Sequence, residues 1–134
     1  SATGEILGKK HFEEFMIPMY KKISEAVHKK ETKIIIHICG KSKTILESLN
    51  KSGADSISFD SVVRIKEAKE ILIAPIMGNV STQLLDQGEE EKIKMYTKMV
   101  INNGTSIVSP ACGLAMSTSV KNLKAMTDTV KYKG

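Results

Sequence analysis

Tryptophan is absent from this chain of 134 residues, and there are only two cysteines, three prolines, three tyrosines and three phenylalanines. Two cysteines cannot build a disulfide framework. No apolar stretch approaches the roughly 20 residues of a membrane-spanning helix, and no basic-then-apolar leader marks an export signal. A cytoplasmic location is therefore expected. No block of five like charges occurs either: Lys plus Arg number 20 and Asp plus Glu 15, for a net charge of +5. An excess that small and dispersed reads as solvated surface, without a nucleic-acid footprint or a membrane-attachment patch. With 41% hydrophobic and 26% charged residues the composition is that of a globular chain. Its length is close to the roughly 150 residues of one ordinary domain. The chain opens at Ser1 without a methionine and stops at Lys133-Gly134 directly after an amphipathic pattern, which reads as a segment cut from something longer.

Within that frame, two periodicities alternate. Phe12, Phe15, Met16, Met19, Ile23 and Val27 recur at helical spacing, so a helix is expected over 12–27, kinked or starting late because of Pro18. Residues 34–39 form an apolar, β-branched run closed by Gly40, which reads as a buried strand. Ser42 or Thr44 then caps a helix carrying Ile45, Leu46 and Leu49, with Gly53 at its end. The pattern repeats: a strand over 54–60, a charged helix over 63–71, a strand over 73–77 ending in Gly78-Asn79, and a helix over 89–102 with Ile93, Tyr96, Met99 and Val100 on one face. A fourth strand over 105–109 leads into Pro110-Ala111-Cys112-Gly113. Val120, Leu123, Thr127 and Val130 mark a last helix capped near Ser117 or Thr118.

Strands alternating with helices mean βαβ units and a parallel sheet, hence an α/β fold of one leading helix and four βα units. Four such strands form either a small open sheet or half of an eight-stranded barrel. Polar or reactive residues fall at the carboxyl end of every strand: His37 and Cys39, Ser58 and Asp60, Asn79, and Cys112. Barrel active sites are assembled at that end, which favours the half-barrel.

In a strand, residues i and i+2 point the same way, so His37 and Cys39 present an imidazole and a thiol from one face. Cys112 offers a second sulfur from the last strand. One nitrogen and two sulfurs are a donor set that zinc prefers, and three protein ligands leave one tetrahedral position open, the catalytic pattern. Spacing alone equally allows two small core thiols and a satisfied imidazole. A redox pair is disfavoured, because the cysteines are far apart in sequence and form no CxxC. His11 and His28 read as solvated. Ser58, Asp60 and Asn79 are positioned to line the same cavity and contact a substrate. Asp60 reads either as an orienting partner for His37 or as a helix cap, and Asn79 as cavity lining or as a turn residue. Gly40-Lys41-Ser42 resembles the tail of a phosphate loop, but the glycine required five positions earlier is Ile35. Lys41 and Lys43 then read as surface residues or as an attractor for an anionic substrate.

The motifs Ala2-Thr3-Gly4-Glu5-Ile6-Leu7-Gly8, His37-Ile38-Cys39-Gly40, Gly53-Ala54-Asp55, Glu67-Ala68-Lys69, Met77-Gly78-Asn79-Val80, Pro110-Ala111-Cys112-Gly113 and Asn122-Leu123-Lys124-Ala125-Met126 stand in a familiar order. They resemble the carboxyl-terminal part of the methylcobamide:coenzyme M methyltransferases, which belong to the uroporphyrinogen decarboxylase superfamily of (β/α)₈ TIM barrels. The His-x-Cys with a distant Cys is the specific element, since decarboxylases of the superfamily do not use that set. The resemblance implies that His37, Cys39 and Cys112 match the family's zinc ligands. It implies further that coenzyme M binds as a thiolate and takes the methyl group of a methylcobamide carried by a corrinoid partner protein, in methanogenesis. Two departures are Ser119, where a proline is common, and Ser61, where an acidic residue is common.

On this resemblance, residues 1–134 form a single partial barrel domain, the C-terminal half of a TIM barrel without its first four strands. Such a half is expected to pair with the missing barrel half or with a second copy of itself, and not to persist as a well-folded monomer. Two other readings are a non-catalytic half-barrel subunit of an assembly and a decarboxylase relative acting on a porphyrin.

Overall fold

From Lys33 onward, short β-branched runs alternate with helices, and the computed structural model, which describes residues 4–131, turns each run into a strand of one parallel sheet. The strands are β1 (Ile35–Ile38), β2 (Ser56–Phe59), β3 (Ile76–Val80) and β4 (Ile107–Pro110). The helices are α1 (Gly4–His11), α2 (Ile17–His28), α3 (Leu46–Leu49), α4 (Ile65–Ile71), α5 (Thr82–Gln87), α6 (Glu90–Asn102) and α7 (Val120–Lys131). A π-helical stretch over Phe12–Met16 joins α1 to α2, and a 3₁₀ turn over Lys43–Ile45 precedes α3. Ala2 and Thr3 of the first motif, and Lys133-Gly134, lie outside the described residues. Among the described residues no helix is long and apolar enough to cross a membrane.

The sheet order is β1-β2-β3-β4, every neighbour parallel. A doubly wound sheet reverses its strand order at a switch point; this one does not, so it has the order of a barrel wall. Register sorts the side chains into two faces. Ile36, Ile38, Ile57, Phe59, Ile76 and Val80 lie on the helix side and are all buried. Ile35, His37, Ser58, Met77 and Ile107 share the other face, where Ile35 and Ile107 are exposed.

Several elements differ from expectation for identifiable reasons. The irregularity expected at Pro18 takes the form of the π stretch, in which the Ile17 N–H bonds to the Phe12 carbonyl just before Pro18, the second residue of α2. The apolar stripe expected over 12–27 is only partly buried: Phe12 is buried and Met16 packs against the core, but Phe15, Met19 and Ile23 are 59%, 54% and 45% exposed, and Ile17 and Ser24, outside the stripe, are buried in α2. Close approach explains the buried serine. Ser24 Oγ donates to the Ser52 carbonyl at 3.1 Å, and a Cβ on Gly53, whose φ is +78°, would meet Ser24 Cβ at 3.2 Å. Only small residues fit that crossing.

β3 starts three residues later than the apolar run, because Pro75 has no N–H and Ile73 is 86% exposed. Gly78 and Asn79 are therefore inside β3 and do not follow it. At Gly78 φ is +132° and an added Cβ would lie 3.0 Å from the Phe59 carbonyl oxygen, so the position suits glycine alone. The short α5 was not expected; Ser81 caps it, its Oγ accepting the Leu84 N–H at 3.3 Å. Neither expected cap of the 3₁₀ turn and α3 forms a side-chain bond: Ser42 precedes the turn with its hydroxyl buried and without a partner among the described residues. At α7 the cap is Ser119, whose Oγ accepts the Asn122 N–H at 3.2 Å, whereas Ser117 and Thr118 both donate to Asp86.

His28 is not simply solvated. Its Nε2 lies 2.7 Å from Asp55, which also accepts from Lys33 Nζ at 2.8 Å and from the Ile34 N–H at 2.9 Å. Lys33, then the Ile34 amide and His28, hold the Asp55 carboxyl far below the usual carboxylate range. A lowered folded-state value means that this contribution to stability is complete above the unfolded carboxylate pKa of about 3.9 and is lost as pH falls through the folded one. Below about pH 4 the thermal midpoint of the wild type is therefore expected to fall more steeply than that of Asp55→Asn; parallel curves of midpoint against pH would remove Asp55 from the account.

Candidate metal centre

β1 delivers His37 within the strand and Cys39 one residue beyond it, and β4 delivers Cys112 two residues beyond Pro110. β1 and β4 are the two edges of the sheet, about 14 Å apart at the usual strand spacing if the sheet were flat. Curvature brings their ends together. Cys39 Sγ lies 3.7 Å from Cys112 Sγ and 3.2 Å from His37 Nε2, and the three donor atoms fall within 4.8 Å of one another. Both strand exits are tied down: the Ala111 N–H donates to the Val80 carbonyl at 2.8 Å, and the Gly40 N–H to Asp60 Oδ2 at 3.2 Å. The loop beyond Cys112 is held by Asp86 Oδ1, which accepts from Ser117 Oγ at 2.7 Å.

The donors fit a tetrahedral cation. With metal–sulfur and metal–nitrogen bonds of about 2.3 and 2.0–2.1 Å, a zinc ion would hold two sulfurs about 3.8 Å apart and a nitrogen and a sulfur about 3.6 Å apart. The observed sulfur–sulfur distance of 3.7 Å matches the first, the His37–Cys39 distance of 3.2 Å is shorter than the second, and the third donor pair lies within 4.8 Å. Burial, and then the adjacent Cys112, push the Cys39 thiol up from its ordinary value. Two thiolates this close repel unless a cation lies between them.

The second nitrogen of His37 settles the orientation of the ring. Nδ1 lies 3.0 Å from Ser58 Oγ, through the β1–β2 register that sets His37 opposite Ser58. The orienting partner is thus Ser58 and not Asp60, whose oxygens accept from the Gly40 and Val62 N–H groups and the Ser61 hydroxyl. Burial opposes ionisation of Asp60, but these donors outweigh it and hold its carboxyl below the usual range. Asn79 is buried, and its Nδ2 donates to the carbonyls of Asp60 and Val63 at 2.9 and 2.8 Å, clamping the loop between β2 and α4. Lys43 pairs with Glu67 at 3.2 Å.

Beside the three donors the open face of the sheet forms a cleft of about 460 Å³, lined among others by Ile35, His37, Ser58, Met77 and Leu114. Its walls are mostly apolar side chains with the imidazole and a few hydroxyls between them.

Over residues 1–132 the chain is matched by the family described as Uroporphyrinogen decarboxylase (URO-D). It is 32% identical over 136 residues to the methylcobamide:CoM methyltransferase MtbA of Methanosarcina acetivorans, covering 99% of this chain and 40% of that protein. It is 33% identical over 131 residues to a uroporphyrinogen decarboxylase of Wolbachia sp. subsp. Brugia malayi, covering 94% and 38%. Among solved structures, a methyltransferase from Methanosarcina mazei superposes with a TM-score of 0.89 at 27% identity, over 97% of this chain and 39% of that one. The four parallel strands and their helices thus match part of a TIM barrel, and the chain spans about two fifths of the length of these relatives.

Proposed function

The chain belongs to the uroporphyrinogen decarboxylase (URO-D) family, and from that premise we propose that it is the zinc-bearing part of a cytoplasmic methyltransferase that moves a methyl group from a methylated corrinoid protein to the thiolate of coenzyme M. Relatives named methylcobamide:CoM methyltransferase support the reaction class. The observation that carries the reading is the convergence of His37 Nε2 with the sulfurs of Cys39 and Cys112 within 4.8 Å.

His37, Cys39 and Cys112 would hold the zinc. Bound there, zinc supplies Lewis acidity that keeps a substrate thiol ionised at neutral pH, and the two cysteine thiolates in its shell leave that sulfur electron-rich enough to attack a methyl carbon. The side chains of the chain do the positioning. Ser58 engages Nδ1 of His37 and so turns Nε2 toward the sulfurs. Asp60 and Asn79, expected to contact a substrate, do not line the cleft and instead brace the β1 and β2 exits that shape it, so that Ser58, Ser109 and His37 are its polar lining. Ile35, Met77 and Leu114 wall the cleft with apolar surface and limit the access of water to the reacting sulfur. The partners on this reading are coenzyme M, the corrinoid protein, and the barrel half, or second copy of this chain, that faces the open side of the sheet.

Protein prepared without oxygen is expected to hold about one zinc per complete site by elemental analysis. It is also expected to transfer methyl from methylcobalamin to coenzyme M once the complementary barrel half is supplied. Protein that takes up no zinc would sink the proposal. Zinc without methyl transfer would leave a structural half-barrel subunit.

A further inference from the structure

The distance in sequence that argues against a redox pair disappears in the fold. Cys39 and Cys112 are 73 residues apart and belong to opposite edges of the sheet, yet their sulfurs are 3.7 Å apart and neither is in a disulfide. A disulfide requires about 2.05 Å, so one sulfur must advance by less than 2 Å.

The two cysteines are placed asymmetrically for such a step. Cys39 is half-buried, and the next residue, Gly40, is tied to Asp60. Cys112 is exposed, at the start of a run, Cys112 to Ser117, in which every residue is exposed. A Cβ added to Gly113 would meet no atom within 4 Å. Both exits are anchored, so the asymmetry is one of access: Cys39 is the shielded thiol and Cys112 the one a dissolved oxidant reaches first.

We propose that Cys39 and Cys112 are an oxidation site of this protein, closing to an intramolecular disulfide under peroxide-class oxidants when no metal is bound between them. Cys112 Sγ, the more accessible sulfur, attacks a peroxide oxygen; the O–O bond breaks, a sulfenic acid forms, and one water (or alcohol) leaves. Cys39 Sγ then attacks the sulfenic sulfur; the S–O bond breaks, and hydroxide leaves with the Cys39 proton as a second water. Two thiols lose two electrons and the peroxide gains them. The bond consumes two of the three donors at the candidate metal centre. Oxidation and metal loading are then mutually exclusive, a consequence that rests on the zinc reading, whereas the disulfide itself rests on geometry alone.

The test treats metal-free and zinc-loaded protein with a small excess of hydrogen peroxide and follows intact mass and non-reduced peptide maps. The metal-free protein is expected to lose two hydrogens and to give one cross-linked pair of peptides containing Cys39 and Cys112, reversed by a phosphine. In Cys39→Ser, where no partner sulfur remains, Cys112 is expected to be trapped as a sulfenic acid by dimedone. The zinc-loaded protein is expected to cross-link roughly tenfold more slowly or less. Oxygen added to the cysteines without a cross-link, or a bond between two chains, would overturn the proposal even if zinc binds. A cross-link that forms equally fast with and without zinc would sustain it and remove the zinc reading instead.

Discussion

Cys112→Ser is expected to bind zinc roughly 10²–10³-fold more weakly than the wild type, and methyl transfer to coenzyme M is expected to fall below detection. The magnitude follows from sharing about 10–16 kcal/mol of binding free energy among the four ligands of a structural zinc site, or about 2.5–4 kcal/mol for each. Serine keeps the shape of the side chain but has no thiolate to offer at neutral pH. Cys112 sits beyond the end of β4 in an exposed loop, so its replacement leaves the core untouched and the thermal midpoint of the metal-free protein should not move. Competition against a chromophoric chelator reads the affinity, and the sulfur-to-metal charge-transfer band of the cobalt-substituted protein counts the thiolates. Ser58→Ala provides the graded comparison: all three donors remain but His37 Nδ1 loses its partner, for which a weakening of about 10–100-fold is expected. Cys112→Ser binding zinc as tightly as the wild type would exclude this cysteine as a ligand.

Phe59→Ala is expected to destabilise the protein by about 3–5 kcal/mol, the usual cost of emptying a buried aromatic position. That is a large share of the roughly 5–15 kcal/mol by which domains are stable. Phe59 is completely buried with Phe12, Ile38 and Ile57 in one core. The neighbouring backbone has little freedom to collapse into the space, because Gly78 already approaches the Phe59 carbonyl more closely than a side chain there would allow. Urea titration should show a lower midpoint with an unchanged slope. A loss below about 1 kcal/mol would mean that the site relaxes, contrary to this packing. The two substitutions differ in kind: one removes a donor and spares the core, the other empties the core and leaves all three donors in the chain.

How far residues alone reveal this protein depends on whether the signal is local. β1 was legible because an isoleucine run closed by glycine has few other uses, and the His37-x-Cys39 pair was legible because a strand repeats every two residues. The start of β3 was not, because the apolar run that ends α4 continues without a break into Ile73 and Ala74, and only pairing with β2 decides where the strand begins. Which residues of α2 are buried was not legible for a related reason. Its large residues mark the apolar stripe, but the crossing at Gly53 admits only Ser24. Ser58 was recognised as cavity lining, yet its place beside His37 is a matter of register between two strands, which neither strand carries in its own sequence. Asp86 was missed altogether, since a carboxylate that anchors a loop 31 residues away leaves no local pattern.

The sequential strand order has a further consequence for how the molecule assembles. Each strand pairs only with its neighbours along the chain, so the sheet can be extended one unit at a time. The Cys39–Cys112 contact is different: it spans 73 residues and joins the first strand to the last. It forms only when all four strands are seated and curved. Metal affinity in this protein is accordingly a gauge of sheet curvature, and substitutions in β2 or β3 that touch neither cysteine are expected to register in it.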